Sequence, residues 1–147
     1  NTINSQFGED ILLFKINSLK INMSINPTKV QLSALKSYPK NQPVAMVNII
    51  KFKDKTTDGT EEGKTAYKRY TTAAMPFVEG VGGKLIWRGK PIGMVIGNDD
   101  TCPDVVFIVQ YPSVDAFFKM IKNPEYQKIT HLRTISLEIG DLIACEP

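Results

Sequence analysis

With a single histidine and a single tryptophan among 147 residues, this chain has few of the parts from which common reaction centres are built. One imidazole leaves no recognisable zinc site, and the two cysteines, Cys102 and Cys145, lie far apart without Cys-x-x-Cys spacing. No metal is therefore expected. Two cysteines also make no disulfide framework. They read as reduced, half-buried thiols, which suits a cytoplasmic location, with a bridge between them as the alternative. No apolar run approaches the roughly 20 residues that a membrane span needs, so no membrane role is expected. The excess of 18 basic over 15 acidic residues gives a net charge of only +3, without the clustered stripe of a nucleic-acid binder. Lys51, Lys53 and Lys55 gather, but Asp54, Asp58, Glu61 and Glu62 lie among them, as in a solvated strand end and loop. Internal repeats and low-complexity stretches are absent as well.

What is present suits one globular domain. Hydrophobic residues are 42% and charged residues 22%, enough for a proper core at a length typical of single domains. Residues 1–26 read as an N-terminal extension and 27–147 as the domain. The chain opens at Asn1, and Met23-Ser24-Ile25-Asn26-Pro27 resembles a start. Residues 1–22 are then a leader remnant, an added segment or a genuine extension. Ile11-Leu12-Leu13-Phe14 is too short for a signal-peptide core. Alternation at Leu19, Ile21, Met23 and Ile25 predicts that part of this arm forms an extra strand or packs on a partner.

Along the domain, Thr28 and Gln31 have capping-box spacing and predict a short helix ending before Pro39. Val44 to Phe52 is a nearly continuous apolar strand, interrupted only by Asn48 and Lys51. A polar loop from Lys53 to Gly63 has the length of a mobile one. A helix follows from about Lys64 to Glu79, where Pro76 should kink it, and Gly80, Gly82 and Gly83 stop it. Lys84 to Arg88 and Ile92 to Ile96 read as strand segments around a turn at Gly89-Lys90-Pro91. Val105 to Tyr111 is a second buried strand. Ser113 caps a helix that Asn123-Pro124-Glu125 restarts, placing Tyr126, Ile129 and Arg133 on one face. Gly140 precedes a last strand from Asp141 to Cys145.

The order β-α-β-β-α-β behind an N-terminal helix is the ferredoxin-like α+β pattern, an antiparallel sheet with helices on one face. Both long strands are apolar on either side, so the other sheet face needs cover. The same face of a second subunit supplies it, as a homodimer around a central cavity.

A set of local patterns supports this. Pro27-Thr28 with Gln31-Leu32, Val47-Asn48-Ile49-Ile50-Lys51-Phe52, Gly82-Gly83 and Trp87-Arg88-Gly89 form its first half. Asp104-Val105-Val106, Tyr111-Pro112-Ser113, and Pro124-Glu125-Tyr126-Gln127 followed by His131, Arg133 and Thr134 complete it. In order and spacing from Pro27 to Ala144, these resemble the longer form of the domain-of-unknown-function 1330 family, within the dimeric α/β-barrel superfamily. The resemblance implies the fold and dimerisation but no reaction. In the family's motif an Arg directly follows the His, whereas here Leu132 separates His131 from Arg133.

The candidate catalytic residues are His131, Asn48 and Arg133, and the candidate substrate contacts are Tyr67, Tyr70, Trp87 and Tyr126. Asn48 in an apolar strand either binds a substrate oxygen inside the barrel or bonds to backbone. Leaving it unpaired would cost roughly 1–3 kcal/mol. His131 is the natural general base or acid, or else a helix-end residue bonded to carbonyls. Arg133 either clamps a carboxylate or enolate, or ties its helix to the last strand through Glu138 or Asp141. The tyrosines either line a cavity or are simply core. Trp87 is either a pocket wall or a dimer contact. The Gly80–Gly83 cluster lacks the strand-before, helix-after setting of a phosphate loop.

By analogy with the superfamily, the expectation is a cofactor-independent enzyme, of isomerase, cyclase or monooxygenase type, acting on a small carbonyl or phenolic metabolite. The alternative is a non-catalytic ligand-binding or assembly module. Haem binding through Asn48, Trp87 and His131 is a third and weaker reading; otherwise no cofactor is expected.

Overall fold

In a computed structural model, residues 25–147 are described. The extra strand expected around Leu19 to Met23 lies outside the described residues. Helix α1, Lys29–Lys36, opens with the expected reciprocal cap. The Gln31 backbone N–H donates to the Thr28 hydroxyl (3.2 Å), and the Gln31 side-chain oxygen accepts from the Thr28 backbone N–H (2.9 Å). Strand β1, Val44–Phe52, and helix α2, Gly63–Gly80, follow as expected, and α2 runs through Pro76 to its end. Gly82 and Gly83 donate to the Glu79 and Val78 carbonyls and close α2. Strand β2 is Lys84–Gly89 and β3 is Val105–Tyr111. The second helical connection comes in three pieces, α3 (Val114–Ile121), α4 (Pro124–Gln127) and α5 (Thr130–Ser136). Ser113 and Asn123 cap the first two with side-chain oxygens. Strand β4, Leu137–Cys145, ends the fold.

The sheet order is β2-β3-β1-β4, antiparallel throughout. With β-α-β-β-α-β connections, this is the ferredoxin-like arrangement. The period of two assigns each strand residue a face. Val44, Met46, Asn48 and Ile50 face the helices, as do their β3 partners Tyr111, Val109, Phe107 and Val105. Two apolar clusters fill this space. The larger joins Met46, Val78, Val109, Phe117 and Tyr126; the smaller joins Ile50, Tyr67, Val105 and Leu137. Asn48 lies on the strand between them. Leu32 and Leu35 of α1 pack on the larger cluster, and Lys36 sits 5.3 Å from the Phe118 ring centre.

Three expectations need correction. Ile92 to Ile96 is not a strand: β2 is an edge strand, no strand among the described residues pairs with this segment, and Ile92, Val95 and Ile96 are essentially fully exposed. The last strand begins at Leu137 and contains Gly140, because pairing of Phe52 with Leu137 starts it earlier. The loop after β1 is folded on itself. Buried Thr56 bonds Asp58 (2.5 Å), its N–H donates to the Glu61 carbonyl, and Lys53 and Thr57 donate to Ser136 and Ile135. Cys102 and Cys145 are both free thiols.

Gly63, at the first turn of α2, sits where this loop meets the end of α5. A Cβ there would lie 2.2 Å from the Lys53 carbonyl oxygen and 2.6 Å from that of Ser136. Gly63→Ala should therefore cost about 1–3 kcal/mol, read as a thermal melt lowered by about 2–4 °C per kcal/mol. An unchanged melt would mean that this junction is loose.

Candidate functional site

Between the sheet and the helices lies an open cavity of about 1220 Å³, walled by α1, α2, β1, β4 and the α4–α5 segment. Most of its lining is apolar. Five of the expected polar side chains, and His131 with them, reach it: Asn48, Tyr67, Tyr70, Tyr126 and Arg133. The sequence places this space at the centre of a dimer, whereas the structure puts it inside one chain. Asn48 shares its strand face with Met46 and Ile50, beneath the helices, rather than with the outward Val47 and Ile49.

Asn48 is half-buried and donates one amide proton to the Met46 carbonyl, 3.1 Å away. Its second proton and its oxygen have no partner among the described residues. Tyr70 and Tyr126 join hydroxyl to hydroxyl at 2.6 Å, their rings edge-on at 6.5 Å. Tyr67 stacks obliquely on Tyr70 and Phe52, with ring centres 5.6 and 5.5 Å away. Burial pushes the phenols of Tyr67, Tyr70 and Tyr111 well above the ordinary tyrosine range, and for Tyr70 the neighbouring Tyr126 adds to it. At neutral pH these are hydrogen-bond donors, not bases.

Arg133 is engaged by backbone. One terminal nitrogen donates to the Ile25 carbonyl (2.6 Å) and the other to that of Gly140 (2.7 Å). It thus ties α5 to β4, through a carbonyl instead of Glu138 or Asp141. Gly140 is what allows this approach, since a Cβ there would lie 3.0 Å from the guanidinium and 2.9 Å from the Leu137 side chain. His131 stands at the exposed rim with Nδ1 3.0 Å from the Lys128 carbonyl. A carbonyl only accepts, so the neutral ring carries its proton on Nδ1 and leaves the Nε2 lone pair free.

Trp87 is not in the cavity. The register shift between Leu85 and Trp87 sets it opposite Ile108, on the outer sheet face, where it is 53% exposed. Within one chain, the Asn–Trp–His set of the haem reading is therefore not brought together. The sequence reading missed Gly140 as a site residue, along with the α1 wall of Gln31, Leu32 and Leu35. A glycine inside a strand pattern was the available signal for the first.

Comparison with known proteins supplies the remaining context. Residues 60–146 match the model of a family described as a domain of unknown function (DUF1330). A protein of unknown function from Rhodopseudomonas palustris, RPA0582, is 34% identical with a TM-score of 0.79, over 84% of this chain and 95% of its own. The structure of methylated RPA0582 gives 35% identity and a TM-score of 0.80, over 84% and 94%. No curated protein matches the chain.

The buried phenols set a pH limit. A tyrosine whose folded pKa is raised contributes no pH dependence below its ordinary value of 10.0. Above it the unfolded chain loses protons that the fold retains, so stability falls as pH rises. Unfolding should begin above about pH 10, with tyrosinate absorbance appearing together with loss of helix signal. Full tyrosine ionisation before any unfolding would contradict the burial of Tyr67, Tyr70 and Tyr111.

Proposed function

The chain belongs to the domain-of-unknown-function 1330 family, and on that premise we propose that the cavity binds a small, mostly apolar carbonyl or phenolic metabolite and moves a proton on it without a cofactor. The observation that carries this reading is the meeting of Asn48 and three tyrosines in one mostly apolar cavity inside a single chain. Buried polar groups in such a setting need partners, and a ligand oxygen would accept the protons that Asn48 and Tyr67 have left to give. Tyr67 and Asn48 would hold a carbonyl oxygen as it gains negative charge. His131 Nε2, at the rim, would take a proton from the adjacent carbon and return it to another, which is the balance of an isomerisation. A thermal-shift and mass-spectrometric screen against small carbonyl acids and phenols tests this. The expected ligand stabilises the parent chain, loses that stabilisation in Asn48→Ala, and still binds His131→Ala without turnover. Turnover retained in His131→Ala would refute the proton-transfer role, and ligand binding without any turnover would leave a non-catalytic binding module.

A second reading is a homodimer, favoured by what the described residues leave uncovered. Val47, Ile49, Ile108 and Ile143 line the outer sheet face with Trp87, and no described element packs over them. Ile92, Val95 and Ile96, in the connection between β2 and β3, are exposed as well. A second copy laid face to face would cover these surfaces, at about 25 cal/mol per Å² of apolar area removed from water. Sedimentation should give about twice the 16.4 kDa chain mass, and Ile92→Asp with Ile96→Asp should weaken the association without unfolding the chain. A monomer at all concentrations would refute the dimer.

A further inference from the structure

We infer that the ligand of this cavity is a small carboxylic acid with an apolar body, its carboxylate seated at the end lined by Tyr67, Asn48 and Arg133. The inference rests on the reading of the cavity as a ligand site and specifies its chemistry.

Hydrogen-bonding capacity at that end is mostly donor, the unpartnered Asn48 oxygen being the acceptor among it. Tyr67 is only 4% exposed, and its hydroxyl has no hydrogen-bond partner among the described residues. No side-chain nitrogen or oxygen there is both fully enclosed and unpartnered, so this hydroxyl opens on the cavity. A phenol so buried wants an acceptor. The Tyr70–Tyr126 pair shares one hydrogen bond between two hydroxyls, which leaves one proton to give. Asn48 has one amide proton left after Met46. Arg133 has five N–H groups, of which the Ile25 and Gly140 carbonyls take two.

The charge at this end is also uncompensated. Neither ion pair among the described residues involves Arg133, and the two carbonyls that hold it are neutral. Among the described residues, Asp141 is the only acidic side chain lining the cavity. Its register partner is Ile49, on the face turned away from Asn48. The positive field reaches the phenol: Arg133 and Arg88 both act to ease ionisation of Tyr67, although burial outweighs them. An acceptor-only anion answers both conditions, whereas a neutral alcohol or amine would bring more donors to an end already rich in them. Met46, Leu32, Phe107, Val109 and Leu142 supply the apolar bed for the remainder of the molecule.

The test titrates the full chain with phenylacetate and octanoate and with their neutral amides, by calorimetry at neutral pH. Each acid should bind about tenfold more tightly than its amide, the worth of one charge-assisted hydrogen bond over a neutral one. Tyr67→Phe removes only an oxygen and Arg88→Gln only a distant charge. Arg88→Gln should weaken acid binding several-fold and leave the amides unchanged, whereas Tyr67→Phe should weaken the acids several-fold and the amides less, since their carbonyl oxygen also accepts from the phenol, with melting curves confirming that both variants fold. Equal binding of acids and amides would overturn the carboxylate inference while the cavity stands as a ligand site. Binding of none of the four would overturn both.

Discussion

Arg133 holds together the parts of the chain that make the cavity. From the middle of α5 it bonds the Ile25 carbonyl on one side and the Gly140 carbonyl on the other. The segment leading into α1 is thereby fastened to the strand that closes the sheet, and Thr134 adds a hydroxyl contact to the Asn26 side chain. A guanidinium suits this task because its planar fork can donate in two directions at once, which a lysine ammonium on its flexible stem does far less well. The same arrangement leaves a positive charge beside Tyr67 with only neutral oxygens around it. On the proposed reading, structure and site chemistry share one residue, with the fold using two of its donors and three left for a ligand.

The two faces of the sheet divide the remaining roles. The helix-covered face carries two apolar clusters with Asn48 between them, and the cavity opens at this seam. A continuous apolar core would have needed a leucine or valine there. The outer face carries Val47, Ile49, Ile108 and Trp87 at its centre, with Gln110, Lys51 and Asp141 around them, the apolar-centre, polar-rim character of an association surface. A single apolar strand, β1, serves both faces.

How much of this could be read in advance varies with the range of the contacts. The α1 cap, β1, α2 and β3 depend on local spacing, and they appear with nearly the expected limits. Asn48 stood out because amides are rare in apolar strands. Which face it took could not be read, since Ala45, Val47 and Ile49 are as apolar as Val44, Met46 and Ile50. The cavity was consequently expected between subunits and is found within one chain. Trp87 changed faces through a local register shift that strict alternation does not contain. Arg133 was recognised, but its partners are backbone carbonyls, and the one at Ile25 is 108 residues away. The segment from Ile92 to Ile96 has strand-forming side chains but no pairing strand among the described residues, a fact of topology invisible in composition.

The most direct test of the central claim, that the cavity beneath the helices is the ligand site, is a solution NMR titration with phenylacetate. Tyrosine rings and the single tryptophan indole would be labelled as reporters of the two sheet faces. The account predicts that Tyr67, Tyr70 and Tyr126 shift together and saturably while the Trp87 indole stays in place. A shifting Trp87 with unmoved tyrosines would place binding on the outer face and contradict it.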